Sequence, residues 1–158
     1  MLVDIHRVLR PDGMLVILIP NRHMTFDQYR SPTPLSHLID EYRRDIREVD
    51  DAHILDFLVH TGETRNEPPR RWFGEEEIRL HRQRSVHVHV WNVDEFGQVM
   101  AYASDELGLR WNVIDTMPPG AEGTYGDEFG WVLAKIDNAS NFQSRRQRLP
   151  RRSRGRAV

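Results

Sequence analysis

The sequence has no cysteine and no long apolar run. The absence of cysteine among 158 residues excludes disulfide bonds, thiolate metal ligands and a cysteine nucleophile. The longest uncharged apolar run, Met14–Pro20, is far shorter than the roughly 20 residues of a membrane-spanning helix. The first ten residues do not form the apolar core of a signal peptide. We therefore expect a cytoplasmic protein with no membrane partner.

Lysine is almost absent too, and the charge is unevenly distributed. Lys135 is the only lysine among 22 basic residues, and seven arginines lie within residues 145–158, which contain no acid. This segment carries +7, so a net charge of −2 leaves −9 on the rest of the chain. We expect residues 138–158 to be a disordered, arginine-rich tail. Residues 145–158 have no aromatic side chain to stack on bases, which disfavours nucleic acid as a partner.

Apolar spacing predicts an α/β chain with a helical insertion. Residues 1–9 follow helical spacing, and the unbroken apolar run at 14–19 is typical of a strand buried on both faces. We expect Gly13 to supply the positive φ of the turn between them. The insertion, about residues 35–84, is predicted to hold three helices, at 35–49, 51–59 and 74–84, with a loop at 61–71.

The second half of the chain predicts a strand, a helix and a hairpin. Residues 85–91 alternate in the manner of a strand. Asn92 and Glu95 have the spacing of a capping box, and helical periodicity then continues to a stop at Gly108. Two strands, at 109–117 and 129–136, are expected to pair as an antiparallel hairpin.

Three stretches carry a resemblance to a known family. The first is a basic turn followed by a hydrophobic strand, the second is the polar loop after that strand, and the third is split between the alternating segment and the start of the last strand. In order they comprise His6-Arg7-Val8-Leu9-Arg10-Pro11-Asp12-Gly13-Met14-Leu15-Val16-Ile17-Leu18-Ile19-Pro20; then Asn21-Arg22-His23, Thr25-Phe26-Asp27, Arg30, Thr33 and His37-Leu38; then His87-Val88-His89-Val90-Trp91 with Phe96, and Gly126-Asp127-Glu128-Phe129.

Together these stretches resemble the C-terminal half of class I S-adenosylmethionine-dependent methyltransferases of the type 11-like group. The first resembles the segment that enters the fifth strand of their sheet, with Asp12 where the family has the first glycine of a pair. The resemblance implies a Rossmann-like sheet whose antiparallel last strand lies between the fifth and sixth. Residues 14–19, 109–117 and 129–136 would be the fifth, sixth and seventh strands.

The resemblance also implies S-adenosyl-L-methionine as cofactor, but the motif that binds it is not found here. The family uses a glycine-rich turn between a strand and a helix. The only glycine cluster, residues 120–126, lacks the G-x-G pattern and lies between two predicted strands. Cofactor-binding residues therefore remain unknown. Residues 1–137 are interpreted as part of a larger domain, and a homo-oligomer or a partner chain could supply the strands that are missing.

The resemblance places the methyl acceptor, a small or saccharide-linked molecule, beside the loop after the first strand. His23 and Asp27 are the general-base candidates there, and the alternative is that both only shape the loop through hydrogen bonds. Arg22 and Arg30 could clamp an anionic acceptor, or could form surface salt bridges instead. His37 and His89 are also predicted to bind the acceptor. The predicted acceptor-binding residues are therefore Arg22, Arg30, His37 and His89.

Eight histidines also raise the question of a metal. His87 and His89 have a usable ligand spacing, and His23, His37 or His53 could complete a set with Asp27 or Asp56. The chain has no H-E-x-x-H pattern, so no metal ligand is assigned. Two alternatives to methyl transfer stay open: a non-catalytic half-domain that docks on a partner, and a histidine-based metal hydrolase.

Overall fold

Five helices and three strands are found in the residues that the structure, a computed structural model, describes: 1–64, 70, 72–84, 86–121 and 126–136. Their order is α1 (Leu2–Val8), β1 (Met14–Pro20), a 3₁₀ turn (Arg22–Met24), α2 (Leu35–Arg43), α3 (Asp51–Thr64), α4 (Glu75–Arg82), α5 (Val93–Asp105), β2 (Trp111–Met117) and β3 (Glu128–Lys135). The predicted tail, residues 138–158, lies outside this range. Within it, no helix combines the length and the apolarity that crossing a bilayer requires.

The three strands form one antiparallel sheet in the order β1-β3-β2. The register pairs Ile17 with Trp131 and Ile19 with Phe129, and a bulge separates Val113 from Asp115 on β2. The hairpin of β2 and β3 is confirmed. The last strand lies between the other two, which is the order expected for these three strands.

The prediction that β1 is buried on both faces is wrong. Met14, Val16 and Leu18 are between 53% and 66% exposed. The alternate residues, among them Ile17 and Ile19, share the other face with Trp131 and Phe129, because directly paired residues of antiparallel strands point the same way. That second face is the one covered by α5, so β1 is an edge strand with one apolar face open.

The core has two parts. Under the sheet, Phe96 of α5 lies against the rings of Phe129 and Trp131, at centroid distances of 6.4 and 5.7 Å. In the helical insertion, Ile54, Leu58 and Phe73 form a separate buried cluster. The insertion therefore has a buried apolar cluster of its own.

In the turn into β1, the residue with the strained backbone is not the predicted one. Asp12 has the positive φ, +58°, whereas Gly13 does not. Gly13 is required for a different reason: a Cβ on it would lie 2.8 Å from the Arg10 carbonyl oxygen. Asp tolerates the left-handed region better than most residues, so the turn forms without the first glycine of the family pattern.

The helix α2 ends six residues before its predicted end at 49. Asp45 has a φ of +53°, and the N–H groups of Asp45 and Ile46 donate to the carbonyls of Tyr42 and Glu41. This is the Schellman arrangement that stops a helix after Arg43. The helix α3 instead continues past its predicted end, to Thr64. The capping box of α5 is confirmed, since Asn92 and Glu95 bond each other's backbone N–H.

Residues 86–91 are extended but are not a strand of the sheet, which corrects the prediction for 85–91. Their pairing with other strands is a single parallel bridge between Asn21 and Trp91 among the described residues. Their backbone groups bond the loop after β1 instead, as when the Thr33 N–H donates to the Val90 carbonyl at 3.0 Å. An alternating pattern fixes an extended shape but not the partner that satisfies the backbone.

A matched pair of glycine variants tests how closely the strands approach. A Cβ on Gly130 of β3 would overlap the Ile17 carbonyl oxygen of β1, whereas a Cβ on Gly97 of α5 would meet nothing within 4 Å. Urea unfolding should show Gly130→Ala less stable by about 1–3 kcal/mol. Gly97→Ala should be more stable by about 0.5–1 kcal/mol, because it removes a helix-interior glycine. Equal effects of the two changes would contradict the close strand contact.

Candidate functional site

The loop after β1, residues 21–33, lies against the extended segment 86–91. The Arg22 N–H donates to the Trp91 carbonyl at 2.9 Å, and the Val90 N–H donates to the Thr33 hydroxyl at 3.0 Å. The two segments therefore form one unit just beyond the carboxyl end of β1. Four of the site residues predicted from the sequence, Arg22, His23, Asp27 and Arg30, lie in this loop, and His89 lies in the segment against it.

A buried ion pair holds this unit together. The side chains of Asp27 and Arg30 are 1% and 2% exposed, with Arg30 Nη1 at 2.9 Å from Asp27 Oδ1. Arg30 also donates to Asp56 of α3 at 2.7 Å and to the carbonyls of His87 and Val88 at 2.5 and 3.0 Å. Each guanidinium nitrogen thus bonds a protein acceptor. This geometry favours a structural role for Arg30 over the predicted clamp on an anionic acceptor.

Asp27 also holds an imidazole. Its Oδ2 lies 2.6 Å from His87 Nδ1, and the ring of Phe26 stacks on His87 at a centroid distance of 4.8 Å. The His87 side chain is 34% exposed, and its Nε2 makes no hydrogen bond within the described residues. The arrangement is a carboxylate–imidazole pair with one ring nitrogen available.

The pKa of Asp27 is set by opposing effects. Burial raises it, while the hydrogen bonds from His87 and Arg30, together with the charges of these two residues, lower it. The lowering effects prevail, so the pKa of Asp27 lies below its ordinary value and the carboxylate is ionised at neutral pH. An ionised Asp27 fixes the His87 tautomer with the proton on Nδ1.

His23 and Arg22 lie on the other side of this loop. His23 is exposed, and its Nε2 lies 3.2 Å from Arg22 Nη2 and 3.4 Å from Asn92 Nδ2. Arg22 bonds Glu95 of α5 at 3.2 Å and the Arg30 carbonyl at 3.0 Å. The structure pairs Asp27 with His87 rather than with His23, the other general-base candidate. Sequence reasoning did not find this pair, because the two residues are 60 positions apart.

A second group of titratable side chains lies beside the first. His37 and Glu41 are one turn apart on α2, His53 is in the first turn of α3, and His89 comes from the extended segment. One potential ligand atom from each lies within 4.8 Å of all the others. Three imidazoles and one carboxylate therefore converge on a single half-buried point. We call these four residues the histidine cluster.

The distances within the histidine cluster are short. The Nε2 atoms of His37 and His53 are 3.0 Å apart. Glu41 Oε1 lies 3.2 Å from His37 Nε2 and 3.4 Å from His53 Nε2, and Glu41 Oε2 lies 3.2 Å from His89 Nε2. Sequence reasoning named the three histidines but grouped them with Asp27 or Asp56. The helical spacing of His37 and Glu41, four residues apart, is the signal that would have found the carboxylate.

A contact with Asp50 orients His53, and burial sets the charge of His89. His53 Nδ1 lies 2.7 Å from Asp50 Oδ1, so its proton faces Asp50 and its Nε2 lone pair faces the other three residues. Burial lowers the pKa of His89 to about 4, with His53 and His37 adding to the decrease and Glu41 opposing it. The His89 ring is therefore neutral at neutral pH, and its buried Nε2 has no partner in hydrogen-bonding geometry.

An open cleft borders the histidine cluster and Arg30. It has a volume of about 290 Å³, and its walls include Arg30, His37, His53 and His89. His37 and His89, two of the predicted acceptor-binding residues, thus face the same space. The ring of His89 lies 5.8 Å from that of Trp91, which gives the neighbourhood an aromatic side.

Comparison of the chain with protein-family models, with curated proteins and with solved structures found no match. Its function must therefore be inferred from its residues and their geometry.

Acid unfolding tests the ionised state of Asp27. A carboxylate whose pKa is lowered on folding adds stability above its unfolded pKa, and that stability is lost as the pH falls through its folded pKa. We expect the free energy of unfolding to decrease as the pH falls below about 4. In urea titrations Asp27→Asn should flatten this decrease, and the exposed Asp105→Asn should keep it. A wild-type slope in Asp27→Asn would contradict the assignment.

Proposed function

We propose that this chain forms the acceptor side of a class I S-adenosylmethionine-dependent methyltransferase domain. The methyl acceptor would be small or saccharide-linked, and His87 would act as its general base with Asp27 as the positioning residue. The observation that carries the proposal is the Asp27–His87 pair, 2.6 Å apart and just beyond the carboxyl end of β1. Both residues lie in stretches that carry the methyltransferase resemblance.

The sheet supports this proposal. In a Rossmann-like methyltransferase sheet the antiparallel last strand is inserted between the fifth and sixth, and β3 lies in this way between β1 and β2. The free edge of β1 and the exposed Met14, Val16 and Leu18 are where further strands and helices of such a domain would pack. The chain would then contribute the last three strands of a larger sheet.

The described residues do not fit S-adenosylmethionine. The family cradle is a glycine-rich turn between a strand and a helix, where the backbone approaches the ligand. The glycine cluster at 120–126 joins β2 to β3, both of which are strands, and residues 122–125 of it are outside the described residues. We therefore assign the cofactor site to the part of the domain that precedes β1.

The Asp27–His87 pair can perform the proton transfer that a hydroxyl acceptor needs. A hydroxyl placed within about 2.6–3.2 Å of His87 Nε2 would give its proton to that nitrogen as the oxygen becomes a nucleophile. The imidazolium so formed would be stabilised by the ionised Asp27, as in other carboxylate–imidazole pairs. Arg30 would keep Asp27 in place. His23, on the exposed side of the loop, has no such partner among the described residues.

Saccharide binding tests the acceptor side. In the full chain with ¹⁵N-labelled histidine, a panel of monosaccharides and sugar phosphates should include one that shifts the His87 ring signals saturably. His87→Gln should weaken that binding about two- to tenfold, because one hydrogen bond contributes about 0.5–1.5 kcal/mol.

The matched control is His6→Gln, on α1 and outside both the loop that carries Asp27 and the segment that carries His87. It should leave the affinity unchanged. The acceptor-side assignment would fail if no member of the panel shifted His87, or if the two variants weakened binding equally.

Calorimetry tests where the cofactor site lies. Titration of the full chain with S-adenosylmethionine or with its demethylated product should release no binding heat, since the described residues contain no strand-to-helix glycine turn. Saturable heat with a stoichiometry near one would place a cofactor site within this chain. It would overturn the assignment of that site to the part of the domain before β1.

A docking module is the second candidate function, and the open face of β1 favours it. Exposed, alternating apolar residues on an edge strand are a template for pairing with another strand. The occupant would be the preceding strand of the same type of sheet, supplied by a partner chain. In this case Asp27 and Arg30 would only stabilise the loop.

A further inference from the structure

We propose that the histidine cluster, His37, Glu41, His53 and His89, binds one divalent first-row transition metal ion. The ion would join α2, α3 and the extended segment 86–91. The methyltransferase resemblance assigns no metal to these residues, and this site does not depend on the function proposed above.

The spacing of the four ligand atoms matches a metal site. Metal–ligand bonds of about 2.0–2.1 Å to nitrogen and oxygen place tetrahedral ligand atoms about 3.3 Å apart. Glu41 Oε1 lies 3.2 Å from His37 Nε2 and 3.4 Å from His53 Nε2, and the other carboxylate oxygen, Oε2, lies 3.2 Å from His89 Nε2. The whole set spans no more than 4.8 Å, so modest side-chain movements would complete the coordination.

The imidazole rings of the histidine cluster are also oriented as metal ligands would be. With its Nδ1 proton facing Asp50 at 2.7 Å, His53 directs an Nε2 lone pair at His37 Nε2, 3.0 Å away. A carboxylate on the far nitrogen of a histidine is the usual second contact of a metal-binding imidazole. His89 Nε2 is buried in the cluster and lacks a hydrogen bond. An ion would satisfy this atom and separate the facing imidazoles.

The donor set selects the class of metal. Three imidazoles and one carboxylate, without thiolate, suit Zn²⁺, Fe²⁺, Ni²⁺ or Cu²⁺. Ca²⁺ and Mg²⁺ take oxygen ligands and should not compete. Since all four ligands come from the protein, the site is of the closed, structural type, which distinguishes it from a hydrolase centre that keeps a position open for water.

A structural ion has a clear task here. The hydrophobic cluster of the insertion is built on Ile54, Leu58 and Phe73 and includes no residue of α2 or of the segment 86–91. Ligands from α2, α3 and this segment would fix the three elements together. Because the ion would bind the folded chain and not the unfolded one, binding would also raise the melting temperature.

Zinc binding to the full chain tests the proposal. After removal of metals with a chelator, titration with Zn²⁺ should show one ion per chain and a higher melting temperature, whereas Mg²⁺ and Ca²⁺ should change neither. Asp50→Asn should weaken zinc binding about 10- to 100-fold through loss of the contact to His53. His53→Ala should weaken it more.

The matched control is His60→Ala. His60 is on the same helix, α3, and its Nδ1 bonds the Asp56 carbonyl at 2.8 Å rather than the cluster. This variant should bind zinc as the wild type does. If His53→Ala does not fold by circular dichroism, Glu41→Gln and His89→Gln replace it.

Three results would overturn the proposal: less than half an ion per chain at saturation, equal affinities of His53→Ala and wild type, or equal losses in His53→Ala and His60→Ala. Cobalt provides a second readout. Co²⁺ bound by the wild type should give visible absorption bands with nitrogen ligation, and these should be absent in the cluster variants and present in His60→Ala.

Discussion

The buried pair of Arg30 and Asp27 is the interaction on which the rest of the site depends. Both side chains are almost fully removed from solvent, so each charge requires the other. Through its remaining donors Arg30 reaches Asp56 of α3 and the carbonyls of His87 and Val88. One guanidinium therefore connects the loop after β1, the helical insertion and the extended segment. Because Asp27 also holds His87, the same pair that organises the backbone orients the proposed base.

The proposed base and the histidine cluster share these elements but serve different purposes. His87 and His89 are two residues apart on an extended segment, yet one bonds the buried Asp27 and the other joins His37, Glu41 and His53. The first group has an ionised carboxylate and an available ring nitrogen, which suits proton transfer. The second has converging imidazole nitrogens and a carboxylate, which suits a cation. A metal at the second group would fix the wall of the cleft that His37, His53 and His89 form.

The sheet determines the position of the candidate site after β1 and leaves one face of β1 exposed. The carboxyl end of β1 delivers the chain directly into the loop that carries Asp27 and Arg30. The side chains of β1 that face α5 pack on Phe129 and Trp131, whereas Met14, Val16 and Leu18 face outwards. An edge strand with an exposed apolar face is a surface on which further strands or helices can pack. In the proposed larger methyltransferase sheet, another strand would pair with the free edge of β1, and helices would cover its exposed face.

By itself the sequence determined the type and order of most elements, since periodicity, the Asn92 capping box and the hydrophobic run at β1 are local signals. It did not determine where α2 ends, because that depends on Asp45 adopting a left-handed backbone. It also did not show that residues 86–91 bond a loop instead of a sheet. The sequence also singled out Asp27 and several histidines as candidate functional groups. Only the tertiary structure decided their partners, because Asp27 with His87 and Glu41 with His53 and His89 are contacts between distant segments, which local patterns cannot encode.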